Sequence, residues 1–298
     1  MMIGELAALG AAICWTISAI LYKEALLKAK PISANVVRLT CTSAVLVACL
    51  VVVGKLGVLT SLPLHVTVLA CISGIIGLGF GDTLYMTSLK LIGVARAVPI
   101  TCTYPLFTLL WAVLLIGEPV TIQVVFGAIA IVVGIWLLSH EKGTSIGEMQ
   151  NKNSIRGVAS ALATAVVWSV SIAMINMAVK ETPDLDHALA INTIRVTAIA
   201  VSLPVLAPTI DRDFGFLKMQ RKTLTALIFG GIVALGLGWF FLTYSFISTS
   251  ESQAVPISST TPLFSTLSGI IFLREKVTTR NAVGSIIIVI GIFLIFIV

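Results

Sequence analysis

Few ionisable side chains fall well inside the long apolar runs of this 298-residue chain, and those few set the chemistry open to it. Asp82 is the clearest carboxylate, about two helical turns before the charged end of its run. Arg38 lies about two turns into the preceding run, which starts from the same face, so both side chains are expected at similar depth. Charges in an apolar medium are costly and are functional candidates by default. Two readings are open: a structural ion pair that neutralises both groups, or a proton or substrate switch built on that pair. An internal duplication places Arg195 where the first copy has Arg38, but it places Trp239 where the first copy has Asp82. Glu251 and Glu275 lie near the ends of runs, so no acid stands at an obvious matching depth. Arg195 is therefore expected to meet backbone carbonyls or an anionic group of a substrate.

The duplication is read from the residues. AVPITCTYPLF over 97–107 returns as AVPISSTTPLF over 254–264, a shift of 157 positions (254 − 97). With that shift held, Gly74, Gly79 and Gly81 fall on Gly231, Gly236 and Gly238, Glu118 and Thr121 on Glu275 and Thr278, and Gly127 and Gly134 on Gly284 and Gly291. Each copy holds two prolines six residues apart, Pro99 and Pro105, then Pro256 and Pro262. A helix-interior proline donates no N–H and crowds the carbonyl four residues back, so Ala95, Thr101, Ser252 and Ser258 are expected to have freed carbonyls. Neighbouring hydroxyls could re-satisfy such kinks, or a water-filled cavity could receive them. The recurrence beside Thr101, Thr103 and Tyr104, and beside Ser258, Ser259, Thr260 and Thr261, favours a cavity lining.

Aromatic and hydroxyl side chains form a second constellation. Trp15, Ser18 and Tyr22 are answered by Trp168 and Ser171 at a shift of 153 (168 − 15). Trp239, Tyr244 and Tyr85 are expected to complete an amphipathic cavity wall. Tryptophan and tyrosine also favour membrane interfaces, a reading equally open for Trp15, Trp136 and Trp168. Glu118 and Glu275 precede the last run of each copy, where a helix dipole favours an acid, so they read as caps.

Enzymatic and nucleic-acid classes find little support. There is no G-x-x-x-x-G-K-[ST] and no H-E-x-x-H, and His65, His140 and His187 are far apart, in loops or at helix ends. No cofactor or metal is expected. Cys14, Cys41, Cys49, Cys71 and Cys102 fall in apolar runs without paired metal spacing and read as small packing residues. A net charge of +6 would suggest nucleic acid in a soluble chain. Here the basic residues sit in short loops and report topology instead.

The elements that must position these groups follow from composition. With 58% hydrophobic and 11% charged residues and a mean hydropathy of +1.08, the chain is an all-α integral membrane protein. Its apolar runs lack the period-two alternation of barrel strands. The first run has no basic leader and reads as a retained span. Ten transmembrane helices are expected: 3–21, 32–53, 64–87, 93–116 and 120–139, then 155–178, 187–206, 223–246, 252–273 and 277–298. This divides the chain into a five-helix repeat over 1–139, a polar linker over 140–154 and a second repeat over 155–298. Five is odd, so the second copy must enter the bilayer from the opposite side, as an inverted repeat. Alternate loops are crowded with Lys and Arg, whereas the others hold only Lys55 and Lys180. The positive-inside rule then puts both termini outside the cytoplasm. The repeated glycines are expected to permit close helix contact.

The repeated A-V-P-I-x-x-x-x-P-L-F, the Glu-x-x-Thr step after it and the following G-x-x-x-x-x-x-G resemble the EamA-type domain of the drug/metabolite transporter superfamily, once per half. Lys23 resembles the family's lysine at the end of the first helix, although the second copy has Asn176 there. The resemblance implies a secondary transporter in the cell membrane that moves a small organic metabolite, amino-acid-like or related, by alternating access. A passive facilitator is the alternative and a membrane enzyme a third. The implied partners are the substrate, the bilayer and protons as a candidate coupling ion, with no nucleic acid and with a monomeric or homodimeric state.

Overall fold

A computed structural model describes residues 3–111, 121–139, 148–211, 215–249, 251–273 and 277–296. The described residues are helical, with no strand among them. In chain order the helices are α1 (Ile3–Leu26), α2 (Pro31–Val52), the short α3 (Val58–Ser61), α4 (Leu64–Ser73), α5 (Asp82–Ile92), α6 (Val94–Thr101), α7 (Tyr104–Trp111) and α8 (Ile122–Ser139). The second half adds α9 (Glu148–Glu181), α10 (Leu185–Ile210), α11 (Arg221–Gly231), α12 (Trp239–Ser248), α13 (Glu251–Ser258), α14 (Thr261–Leu273) and α15 (Thr279–Phe296). Wide π-helical turns, Gly74–Gly81 and Ile232–Gly238, join α4 to α5 and α11 to α12.

Seven stretches are long and apolar enough to cross a bilayer: Ile3–Leu26, Pro31–Val52, Leu64–Ile92, Lys152–Glu181, Leu185–Ala207, Arg221–Ser248 and Ala254–Leu273. Two shorter apolar helices, Val125–Leu138 and Thr279–Leu294, accompany them. The remaining expected span, 93–116, is present as α6 and α7, and its end lies outside the described residues, as do Glu118 and Glu275. The polar stretch at 140–154 is partly helical, because α9 already begins at Glu148. Apolar side chains such as Phe80, Val52 and Val205 are turned outward while Asn35, Arg38, Asp82, Asn192 and Arg195 are buried, the polarity expected of a multi-pass membrane protein.

The halves interlock. Helix α1 packs against α11, α12 and α14, and α9 packs against α4, α5, α6 and α7. Equivalent helices pair across the middle, α2 with α10 and α8 with α15. Lys30, just before α2, pairs with Asp211, just after α10, at 2.7 Å, while Lys55, just after α2, pairs with Asp186 in the first turn of α10 at 2.6 Å. The paired helices α2 and α10 therefore run antiparallel. In the α8–α15 pair, a Cβ added to Gly134 would lie 2.8 Å from the Gly284 carbonyl oxygen, so the last helices touch through their backbones.

The π turns explain much of the repeated glycine pattern. A wide turn lengthens or loses i→i−4 bonds and leaves carbonyls in need of donors. Asn35 supplies Nδ2 to the carbonyls of Leu78 (2.9 Å) and Gly79 (3.2 Å), and Asn192 does so to Leu235 (2.9 Å) and Gly236 (3.4 Å), the same positions one repeat later. Each turn also lies on the arginine-bearing helix of the other half. A Cβ on Gly74 would fall 2.2 Å from the Arg195 carbonyl oxygen, and one on Gly231 would fall 3.0 Å from that of Arg38.

Both proline-rich spans are broken helices, which corrects the expectation that all four prolines lie in helix interiors. Pro99 and Pro256 are inside α6 and α13. Pro105 and Pro262 are second residues of α7 and α14, where a missing N–H costs nothing because first-turn amides lack intrahelical partners. The carbonyls at each break are met locally: Thr103 Oγ1 donates to Ile100 O (2.7 Å) and Thr261 Oγ1 to Ser258 O (2.7 Å).

Candidate functional site: a central cavity between the halves

The two breaks and the second π turn border one cavity of about 40 Å³, with Asp82, directly after the first π turn, in its wall. That volume holds about three waters, so a metabolite-sized occupant requires the lining side chains to move apart. First-half lining comes from Trp15, Ser18 and Tyr22 of α1, Arg38 of α2, Asp82 and Tyr85 of α5, and Thr101 and Tyr104 at the α6–α7 break. The second half contributes Trp168 of α9, Trp239 at the start of α12 and Thr261 at the α13–α14 break.

Arg38 and Asp82 meet in its wall. Arg38 Nη2 donates to Asp82 Oδ2, and Arg38 Nε donates to Asn35 Oδ1 at 2.8 Å. The ring of Tyr22 lies 4.8 Å from the guanidinium carbon, and its hydroxyl donates to Gly230 O of the other half at 2.8 Å. Asp82 Oδ1 accepts from Trp168 Nε1 at 2.8 Å, so the carboxylate ties an ion pair of the first half to an indole of the second. Both charged side chains are nearly sealed, with 2% and 3% side-chain exposure. Charges this deep persist when they are paired and hydrogen-bonded, as these two are.

Arg195 is surrounded differently. Its Nε donates to Ser73 Oγ at 3.0 Å, its Nη2 reaches Ser171 Oγ at 3.4 Å, and its guanidinium carbon lies 4.5 Å from the centre of the Trp239 ring. The position that is an acid in the first half is thus an aromatic face in the second. Ser73 and Ser171 also bond each other at 2.8 Å across the interface. A chain of rings crosses the cavity, with Tyr85 and Trp168 centred 5.2 Å apart, Trp168 and Trp239 6.4 Å, and Trp239 and Trp15 5.2 Å.

The other expected site residues fall outside the lining. Pro99 and Pro256 are buried in the helices that carry the breaks, and Ser258 bonds the Tyr104 hydroxyl at 2.9 Å from behind the wall. Ser171 and Arg195 are not among the lining residues, and Tyr244 is half-buried outside the lining, stacked on Phe240 at 6.1 Å. Trp136 lies on the outer surface beneath Arg280. Lys23 Nζ donates to Leu89 O at 2.9 Å, holding the end of α5. All five cysteines are free thiols.

Asn35, Asn192 and Ser73 are participants that the sequence reading passed over. Their signal was present: Asn-x-x-Arg occurs at 35–38 and again at 192–195, at the shift already established by the prolines. Outside the spans, the Lys30 ammonium and then the Ser33 hydroxyl hold the Asp211 carboxyl below the usual carboxylate range.

Comparison with known proteins matches this architecture. The EamA-like transporter family matches residues 2–140 and 155–297. A protein of Archaeoglobus fulgidus described as an uncharacterized transporter is 26% identical over 295 residues, covering 98% of each chain. A solved structure titled only as a crystal structure of a protein superposes with a TM-score of 0.65 at 22% identity, covering 98% of this chain and 95% of the other, a likeness of fold.

Proposed function

Because the chain belongs to the EamA-like transporter family, within the drug/metabolite transporter superfamily, we propose that it is a secondary transporter working by alternating access. Its cargo in this reading is a small organic metabolite, amino-acid-like or related, held in the central cavity between two inverted five-helix repeats. The observation that carries the proposal is the Arg38–Asp82–Trp168 junction, where a buried ion pair of one half is bonded to the other half at the cavity wall. The antiparallel run of the equivalent helices α2 and α10 supports inversion of the repeats.

Asp82 is the coupling carboxylate in this mechanism. With the halves closed, its two oxygens accept from Arg38 and from Trp168. A rocking motion that moves α9 away removes the indole donor and loosens the pair, and a carboxylate that loses its cation and hydrogen bonds while buried takes up a proton more readily. Substrate entry on one face and release on the other then follow the protonation state. The breaks at Cys102–Thr103 and Ser259–Thr260 place main-chain groups beside the path, where a cavity and local hydroxyls tolerate them.

The test is transport of labelled solutes in proteoliposomes, with and without an imposed pH gradient. Accumulation against a gradient is expected, and equilibration alone would establish a facilitator. Asp82→Asn should retain exchange between equally loaded compartments and lose pH-driven accumulation. A variant that still concentrates substrate removes Asp82 from coupling, and one that neither folds nor binds leaves the ion pair a structural role. For the orientation with both termini outside, a cysteine at Lys218 in a background lacking the native five should react only from the cytoplasmic side; labelling of intact cells by an impermeant reagent reverses the topology.

A further inference from the structure

The buried charges in and next to the cavity wall are not balanced. Arg38 and Asp82 cancel, whereas Arg195 is fully buried and bonds only to serine hydroxyls among the described residues. Around Arg195 and Trp239, three buried polar atoms have no hydrogen-bond partner among the described residues: Arg195 Nη1, Asn192 Oδ1 and, from α1 of the first half, Trp15 Nε1. The equivalent residues around Arg38 are engaged: Arg38 and Trp168 both donate to the Asp82 carboxylate, and Asn35 Oδ1 accepts from Arg38. An unmet buried donor is costly, and more so when it is charged.

What separates the two clusters is position 239. Trp239 lines the cavity, its ring is centred 5.2 Å from that of Trp15, and the guanidinium carbon of Arg195, which is outside the lining, lies 4.5 Å from the ring centre. One side chain therefore lies against both residues that carry the unmet donors, and it stands where the first half carries the acid that accepts from Arg38 and Trp168.

We propose that Arg195 and Trp15 form a binding subsite for a carboxylate group of the transported solute, covered by Trp239 when the cavity is closed. The solute supplies the carboxylate that the second half lacks and accepts from Arg195 Nη1 and Trp15 Nε1 as Asp82 accepts from Arg38 and Trp168. Its binding brings the buried charges in and next to the wall, Arg38, Arg195 and Asp82, to neutrality. Rotation of the Trp239 indole both enlarges the cavity and uncovers the cation, so the group that recognises the solute becomes available only as room for it appears. The aromatic surround of Trp15, Trp168 and Tyr104 fits an apolar body attached to that carboxylate.

This subsite rests on the transporter reading for its place in a cycle, yet it is tested by equilibrium binding alone. The full chain, purified in detergent, is titrated with phenylacetate and with the isosteric, uncharged phenylacetamide, following the fluorescence of the cavity tryptophans and the heat of binding. Phenylacetate should bind at least about tenfold more tightly, the scale of charge-assisted bonds in a desolvated site. Trp239→Asp, which gives the second half an internal carboxylate, should weaken phenylacetate binding by at least about tenfold while melting no lower than Trp239→Asn. Equal affinities for acid and amide, no binding of phenylacetate, or unchanged affinity in a folded Trp239→Asp protein would each overturn the subsite. Should Trp239→Asp fail to fold, the acid–amide comparison on the unaltered protein decides. A protein that transports solutes but does not discriminate the pair loses the subsite alone; one that discriminates the pair but transports nothing loses the transporter reading alone.

Discussion

Arg38 and Arg195 hold the same register in two copies of one helix, and both are sealed from solvent. Around Arg38 the protein has assembled a carboxylate, an asparagine oxygen and a tyrosine face. Around Arg195 it has placed two serines and an indole, and has left one terminal nitrogen unbonded. The scaffold beneath is the same, down to the asparagine that closes each π turn. Duplication therefore accounts for where a cation is buried, and divergence around it, with Asp82 against Trp239 foremost, accounts for what surrounds that cation. A transporter with two identical halves would meet its solute with the same chemistry from either side. This one has a self-neutralised side and a side that awaits a partner.

The largest effect that would break this contrast is on folding. Arg38→Gln leaves Asp82 buried without its cation and should cost roughly 3–5 kcal/mol, whereas the pair Arg38→Gln with Asp82→Asn should recover much of it. Arg195→Gln removes a cation with no carboxylate partner and should cost about 1 kcal/mol or less. Thermal unfolding in detergent reads all three, and equal losses at the two arginines would erase the distinction.

The π turns offer a sharper form of the same comparison. Gly74→Ala drives a Cβ to 2.2 Å from a backbone oxygen, while Gly231→Ala meets Thr42 Oγ1 at 2.8 Å, Arg38 Cβ at 2.9 Å and a backbone oxygen only at 3.0 Å. A hydroxyl can turn aside and a main-chain carbonyl cannot, so Gly74→Ala should sit at the upper end of an overpacking cost of about 1–3 kcal/mol and Gly231→Ala at the lower. Melting temperatures in the reverse order would show that the α2 side of the interface is the more rigid. In transport, Pro99→Ala and Pro256→Ala should each lower activity severalfold beyond any loss of expressed protein. Variants that transport normally would reduce both prolines to packing kinks.

How much of this was legible in the sequence depends on the physics of each feature. The Arg38–Asp82 contact could be foreseen because a helix rises by a fixed step, so depth can be counted from the ends of two neighbouring runs. The EamA resemblance was carried by prolines and glycines, whose backbone requirements leave few substitutes. The π turns were not foreseen, since one extra residue per turn leaves no mark on hydrophobic period in a run that is apolar on every side. The breaks after Thr101 and Ser258 were hidden for a related reason: a proline reads as a kink wherever it falls in an apolar run, and only the backbone reveals that Pro105 and Pro262 begin new helices. The Trp168–Asp82 bond joins residues 86 positions apart in different halves and depends on how the halves seat, which no local pattern encodes. Tyr244 was grouped with Trp239 by proximity in sequence, but five residues on a helix carry a side chain round by about 140°, towards Phe240 and away from the cavity.

The smallest effect concerns the two ends of the α2–α10 pair, which are latched by like chemistry in unlike settings. Lys55 and Asp186 face solvent at one end, with 45% and 39% side-chain exposure, and an exposed pair contributes little. At the other end Asp211 is enclosed and accepts from Lys30, from the Ser33 hydroxyl and from the Gly215 amide. These donors stabilise the ionised carboxyl in the folded protein and lower its pKa, the Lys30 bond most. The contribution to stability is therefore present above the unfolded-state value of about 4 and is lost as pH falls through the lower folded-state value. Because Lys30 is half exposed, the effect should be on the order of 1 kcal/mol or less. Asp211→Asn should lower the melting temperature at pH 7 by a few degrees and by less at pH 3, so that the two proteins converge as acid is added. Asp186→Asn should change the melting temperature little at either pH. Equal responses from the two variants would mean that enclosure at Asp211 adds nothing to the latch, and a gap that widens in acid would reverse the sign argued for its carboxyl.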